Sequence, residues 1–145
     1  MQKRDIFWVT VLVALIGFYF YLHRAPKREI QIATTIRPVV GQRNGPPKLA
    51  LYITLDNYYR LNSVLVTPLD EPTNAGHREM WHLVATNGSE PVKILQYGEY
   101  VAGMQPYLKG VKAESLIPGE RYQIVVTAGK LQGKSPPFTT SIAAQ

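Results

Sequence analysis

The chain of 145 residues contains no cysteine. That absence excludes a disulfide framework, a thiolate zinc site, a covalently attached c-type haem and an acylated lipoprotein cysteine. Histidine is scarce, with only His23, His77 and His82. Catalytic signatures are missing too. None of Ser63, Ser89, Ser115, Ser135 and Ser141 sits in a G-x-S-x-G elbow, and Gly41-x-x-x-Gly45 lacks the lysine of a phosphate-binding loop. Charge is short where a nucleic-acid binder would need it. Residues 29–145 hold eleven basic and nine acidic side chains, a net of only +2, while residues 1–28 hold five basic and one acidic, a net of +4. A basic surface on the folded part is what neutralises phosphates, so nucleic acid is not an expected partner.

What the chain does have at its start is an uncharged run, Ile6 to Leu22, interrupted only by Thr10 and Gly17. At 1.5 Å per residue its seventeen positions make a helix about 25 Å long, slightly under the roughly 30 Å hydrocarbon core. Trp8, Tyr19 and Tyr21 suit the two interfaces, and Arg24, Lys27 and Arg28 can snorkel to close the difference. Pro26 stops the helix. A cleavable secretory signal competes, since Lys3 and Arg4 could form its basic start. The long apolar run and the bulky or charged residues that follow it, without a small-x-small site, favour an uncleaved span. The expected division is a tail over 1–5, a membrane helix over 6–22, a basic juxtamembrane segment over 23–28 and an extramembrane domain over 29–145. Basic residues nearly balance across the helix, so orientation rests on the short tail, as in a signal anchor. The domain is expected outside the cytoplasm, in the periplasm if the source is bacterial.

From Glu29 onward, short alternations are broken by Gly, Pro and Asn. Ile30, Ile32 and Ile36 share a face, as do Leu49, Leu51, Ile53 and Leu55. Further runs are Ser63–Thr67, Met80–Thr86 around Trp81 and Leu83, Val92–Tyr97, Arg121–Ala128 and a weaker Phe138–Ile142. Period-two patterns of five to eight residues separated by turn clusters predict antiparallel strands. Asn87-Gly88 can form a tight hairpin, and Pro118-Gly119 suits a type II turn. Val39–Lys48 and Asp70–Gly76 read as loops.

The stretch Leu116-Ile117-Pro118-Gly119-Glu120-Arg121-Tyr122 followed by Gln123–Val126 resembles the E–F corner of fibronectin type III domains. In that family a leucine, a Pro-Gly turn and a tyrosine precede an alternating strand. Trp81, Pro91-Val92 and Tyr97-Gly98 are similar to its B and C strands, and Gly133–Pro136 falls where its last strand would begin. Leu49–Val66 looks like an additional hairpin, and Val101–Ala113 is irregular. The resemblance implies an immunoglobulin-like or fibronectin-like antiparallel β-sandwich with additions, and no particular function. It implies that Tyr122 bonds an upstream backbone group and that Trp81 lies in the core.

Among side chains that could carry chemistry, His77-Arg78-Glu79-Met80-Trp81-His82 is the single cluster with metal-ligand types. On a strand His77 and Glu79 share a face while His82 points to the other, so no metal site is expected. Neither catalytic residues nor a cofactor or small-molecule site is indicated. Tyrosine is abundant, and Tyr58, Tyr59, Tyr97, Tyr100 and Tyr107 form the candidate interaction surface, because tyrosine buries a large area at small entropy cost. The expected role is a non-enzymatic accessory or scaffold subunit of a larger membrane complex, photosynthetic and respiratory assemblies being candidate hosts. Its partners would be lipids and integral membrane proteins. The alternative is a membrane-tethered binding module for glycans or an extracytoplasmic protein.

Overall fold

The computed structural model describes residues 3–23, 28–38, 49–70 and 78–140, with side chains from Ile6 onward. Arg24, Lys27, the 39–48 loop, most of the Asp70–Gly76 turn, His77 and Ile142 lie outside the described residues. Among the described residues, one helix, α1 (Lys3–Leu22), precedes nine strands. Its described side chains, 6–22, are exposed around the whole circumference apart from the half-buried Val11. Among the described residues no helix is long and apolar enough to cross a membrane.

The domain is mainly antiparallel β-structure in two sheets. The first contains β1 (Ile32–Pro38), β2 (Leu49–Arg60) and β5 (Pro91–Gln96), in the order β1-β2-β5. The second runs β6-β4-β3-β7-β8, with β3 (Ser63–Pro68), β4 (Trp81–Val84), β6 (Gln105–Pro106), β7 (Arg121–Ala128) and β8 (Leu131–Lys134). A final short strand, β9 (Phe138–Thr139), also pairs with β7. Pro136 and Pro137 separate β8 from β9, since neither can donate to a ladder. Just before them, Ser135 still bonds Ile124 through its backbone N–H and its side-chain oxygen.

The alternating residues make a shared core. Ile32, Leu51, Ile53, Leu55 and Leu95 of the first sheet meet Val64, Val66, Trp81, Leu83, Ile124 and Val126 of the second in one buried cluster. Each such side chain contributes about 1.5–3 kcal/mol on leaving water. β7 shows the pattern most cleanly: Tyr122, Ile124, Val126 and Ala128 are buried and the residues between them are not. Before β7 the chain turns at Pro118-Gly119, where Gly119 takes φ +86° and Glu120 N–H bonds the Ile117 carbonyl. Only glycine adopts that φ freely, as a type II turn requires. The Tyr122 ring is fully buried. Its hydroxyl accepts the Ile117 N–H at 2.8 Å and donates to Glu120 Oε2 at 2.9 Å.

Two of these expectations need correction. Leu49–Val66 is not an additional hairpin, because β2 and β3 belong to different sheets. The two residues between them bond outward: Asn62 N–H reaches the Thr127 carbonyl, and Leu61 N–H reaches the Ser89 hydroxyl. Asn87-Gly88 does not close a hairpin either, since β4 pairs with β3 and β6 while β5 pairs with β2. Gly88 has φ +79°, but no non-glycine residue among the described ones has positive φ, so the paired positive angles of that turn are lacking.

Candidate functional site

The candidate site is a groove of about 590 Å³ at the β6–β4 side of the second sheet. β4 places alternate residues on opposite sides, so Trp81 and Leu83 enter the core while His82 faces the groove. Trp81 meets Tyr97 edge-to-face, with ring centroids 5.3 Å apart. Tyr97 forms the groove floor at only 3% exposure. Its hydroxyl donates to the Glu114 carbonyl at 2.6 Å, with the Met80 carbonyl 3.1 Å away. Burial is the main cause that pushes the Tyr97 phenol well above the ordinary tyrosine range. Glu114 N–H also bonds the Met80 carbonyl, and its carboxylate pairs with Arg78. These bonds hold the irregular 111–115 stretch against β4.

The opposite wall is built by Tyr107, just beyond β6. Its N–H donates to the His82 carbonyl at 3.0 Å, and its ring stacks on His82 with centroids 4.5 Å apart. His82 Nδ1 lies 2.8 Å from Glu79 Oε2. Glu79 and His82 were expected on opposite faces, but β4 starts only at Trp81. The chain at Glu79 is not yet extended in the ladder, so the two side chains meet. Along the rim Tyr100 is 79% and Tyr107 58% exposed, and Leu108 and Val111 are exposed beside them. Glu79, Glu99, Glu114 and Lys112 also line the groove, with the carboxylates of Glu79 and Glu114 engaged by His82 and Arg78.

Of the five tyrosines expected to form one surface, the groove unites Tyr97, Tyr100 and Tyr107. Tyr97 is nevertheless a correction, since its ring is buried and its hydroxyl is committed to backbone. Tyr58 and Tyr59 lie near the far end of β2, away from the groove. Tyr58 is 66% exposed, whereas Tyr59 is half-buried and donates to Asp56 Oδ2 at 3.2 Å. Trp8, Tyr19, Tyr21 and Arg28 are all exposed. The sequence reading missed Leu108, Val111 and the His82–Tyr107 stack. One signal for them was available: apolar residues in Val101–Ala113 without strand or helix periodicity need a reason other than a core.

The arrangement offers apolar and aromatic area rimmed by carboxylates, which suits recognition more than bond chemistry. Among the described residues, no group of three or more metal-ligating side chains converges. Among them also, no buried side-chain polar atom lacks a hydrogen-bond partner. The buried Ser89 accepts the Leu61 N–H and donates to the Glu90 carbonyl, so its hydroxyl is structural. No protein family, curated protein or solved structure matches the chain.

Proposed function

We propose that the chain is a non-enzymatic, single-pass membrane protein, an accessory subunit whose β domain docks a partner on the extramembrane face of a larger complex. The observation that carries this reading is the helix: seventeen consecutive described positions, almost all apolar, are exposed on every side. A helix apolar all round belongs in lipid or against other apolar helices. Its roughly 25 Å falls a few ångströms short of the hydrocarbon core, a deficit that bilayer thinning and the anchors Trp8, Tyr19, Tyr21, Arg24, Lys27 and Arg28 would absorb. The fold assigned is an immunoglobulin-like sandwich of the fibronectin type III kind. In support, the first, second and fifth strands share a sheet and the third, seventh and eighth share the other. The Tyr122 corner supports it as well. The groove supplies the docking face, and its exposed Tyr100, Tyr107, Leu108 and Val111 suit a partner segment carrying apolar residues.

Two experiments test this. Leu12→Arg places a charge at mid-helix, where insertion scales assign about 2.5–3.5 kcal/mol. The wild type should remain in membranes after a high-salt wash and the variant should lose membrane retention; a wild type released by salt overturns the anchor. For docking, the detergent-solubilised protein should co-purify with a membrane protein in fixed stoichiometry, and Val111→Glu should abolish this without changing the melting temperature. A monomer that binds polysaccharide instead would transfer the groove to the glycan-binding alternative.

A further inference from the structure

One end of the β domain gathers three turns around Leu61–Asn62. Asn62 accepts the Ala85 N–H on its carbonyl and the Gly129 N–H on Oδ1 at 2.6 Å, and Leu61 accepts the Ser89 N–H. The 85–89 turn and the β7–β8 turn are thereby tied beside the tip of β2. Residues 57–62, 85–89 and 128–130 contain two charged side chains, Arg60 and Lys130, and no acid, although Asp56 and Glu90 flank them. Tyr58, Arg60, Asn87 and Lys130 are all exposed there.

The chain enters the domain at this same end. β1 pairs Ile32 with Leu55 and Pro38 with Leu49, so it runs away from the tip of β2, and the residues before it lead back towards that tip. Ile30 N–H bonds the Gln132 carbonyl, and Asp56 N–H bonds the Gln31 carbonyl. From His23, the last described residue after α1, to Ile30 there are seven residue steps, which span at most about 25 Å. If α1 ends at a bilayer surface, this end of the domain is held within that reach of it.

We propose that the Leu61–Asn62 end of the domain, with Tyr58, Arg60, Asn87 and Lys130 at its tips, seats on the lipid headgroup layer. The pairing of an exposed tyrosine with basic side chains fits that layer, where amphipathic rings settle and anionic lipids attract lysine and arginine. The groove, reached from β4, Tyr97 and Glu114 farther along the strands, is left open to the aqueous phase. This inference rests on the reading of α1 as a membrane anchor.

The absence of native cysteine makes the test direct. The full chain carrying Asn87→Cys, or Val111→Cys in the groove wall, is labelled with a fluorophore and reconstituted into phosphatidylcholine–phosphatidylglycerol vesicles containing headgroup spin-labelled lipid. Flotation reports the anchor and quenching reports the seating. The expected result is that both variants float, the Asn87 probe loses its fluorescence and the Val111 probe keeps it. Flotation without quenching at Asn87, or with equal quenching at both positions, overturns the seating and leaves the anchor standing. Protein that does not float overturns both.

Discussion

Gly133→Ala tests how the N-terminal segment is held on the domain. A Cβ at position 133 would lie 2.2 Å from the Ile30 carbonyl oxygen, 2.8 Å from its Cβ and 2.9 Å from its carbonyl carbon. Two of these atoms are backbone, so no side-chain rotation relieves the clash, and the Ile30 segment and β8 must separate by about 1 Å to reach ordinary contact. Separation loosens Ile30, which is 2% exposed, and stretches its bond to Gln132. Losing the burial costs about 1.5–3 kcal/mol. The hydrogen bond adds about 0.5–1.5 kcal/mol. A combined loss of about 2–4.5 kcal/mol is a large share of a total of roughly 5–15 kcal/mol. At about 4 °C per kcal/mol, the thermal midpoint should fall by roughly 8–18 °C. The assay is a near-ultraviolet circular dichroism melt of the full chain in detergent. The φ of Gly133 is not positive, so without the clash alanine would stabilise by about 0.4–1 kcal/mol through the unfolded state. An unchanged or raised midpoint would therefore refute the close approach.

Other predictions follow from the polar contacts. Tyr122→Phe removes the acceptor of Ile117 N–H and should cost about 1–3 kcal/mol in the same melt, with the strand content unchanged. Hydrogen bonds from Arg121 hold the Asp70 carboxyl below its ordinary range. A depressed folded-state value means stability that is present above the unfolded value, near 3.8, and lost as pH falls through the folded one. Asp70→Asn should flatten the acid limb of a midpoint-against-pH profile. The Tyr97 phenol is raised instead, so the stability it contributes is complete below the unfolded value, near 10.0, and declines as pH rises beyond it. Tyr97→Phe should reduce the alkaline loss measured in that profile.

Much of the strand map was legible because alternation reports which side of a strand faces the core. Arg121–Ala128 coincides with β7 to the residue, and Trp81 and Leu83 are buried as their spacing predicted. β8 was missed, because Leu131–Lys134 is too short to alternate clearly and Gly133 reads locally as a turn residue. Its reason for being glycine is the Ile30 backbone, about a hundred positions away in the chain. Of the candidate site the sequence named the residue type but not the exposure. Tyr100 and Tyr107 are exposed, whereas Tyr97 follows Leu95 onto the buried face and finds two carbonyls there.

The sequence by itself determined the uncharged run Ile6–Leu22, the absence of thiol chemistry, the type of each long strand and the turn at Pro118-Gly119. These are local properties: hydropathy, residue type, a period of two and the φ that glycine permits. Only the tertiary structure decided that β2 and β3 part into different sheets across a two-residue link. It also decided that Glu79 meets His82, and that Tyr100, Tyr107, Leu108 and Val111 converge on one groove. The reason is physical. A strand's outward N–H and C=O groups accept any partner of matching register, so the choice is made by which apolar faces can be buried together, and that depends on residues far apart in the chain.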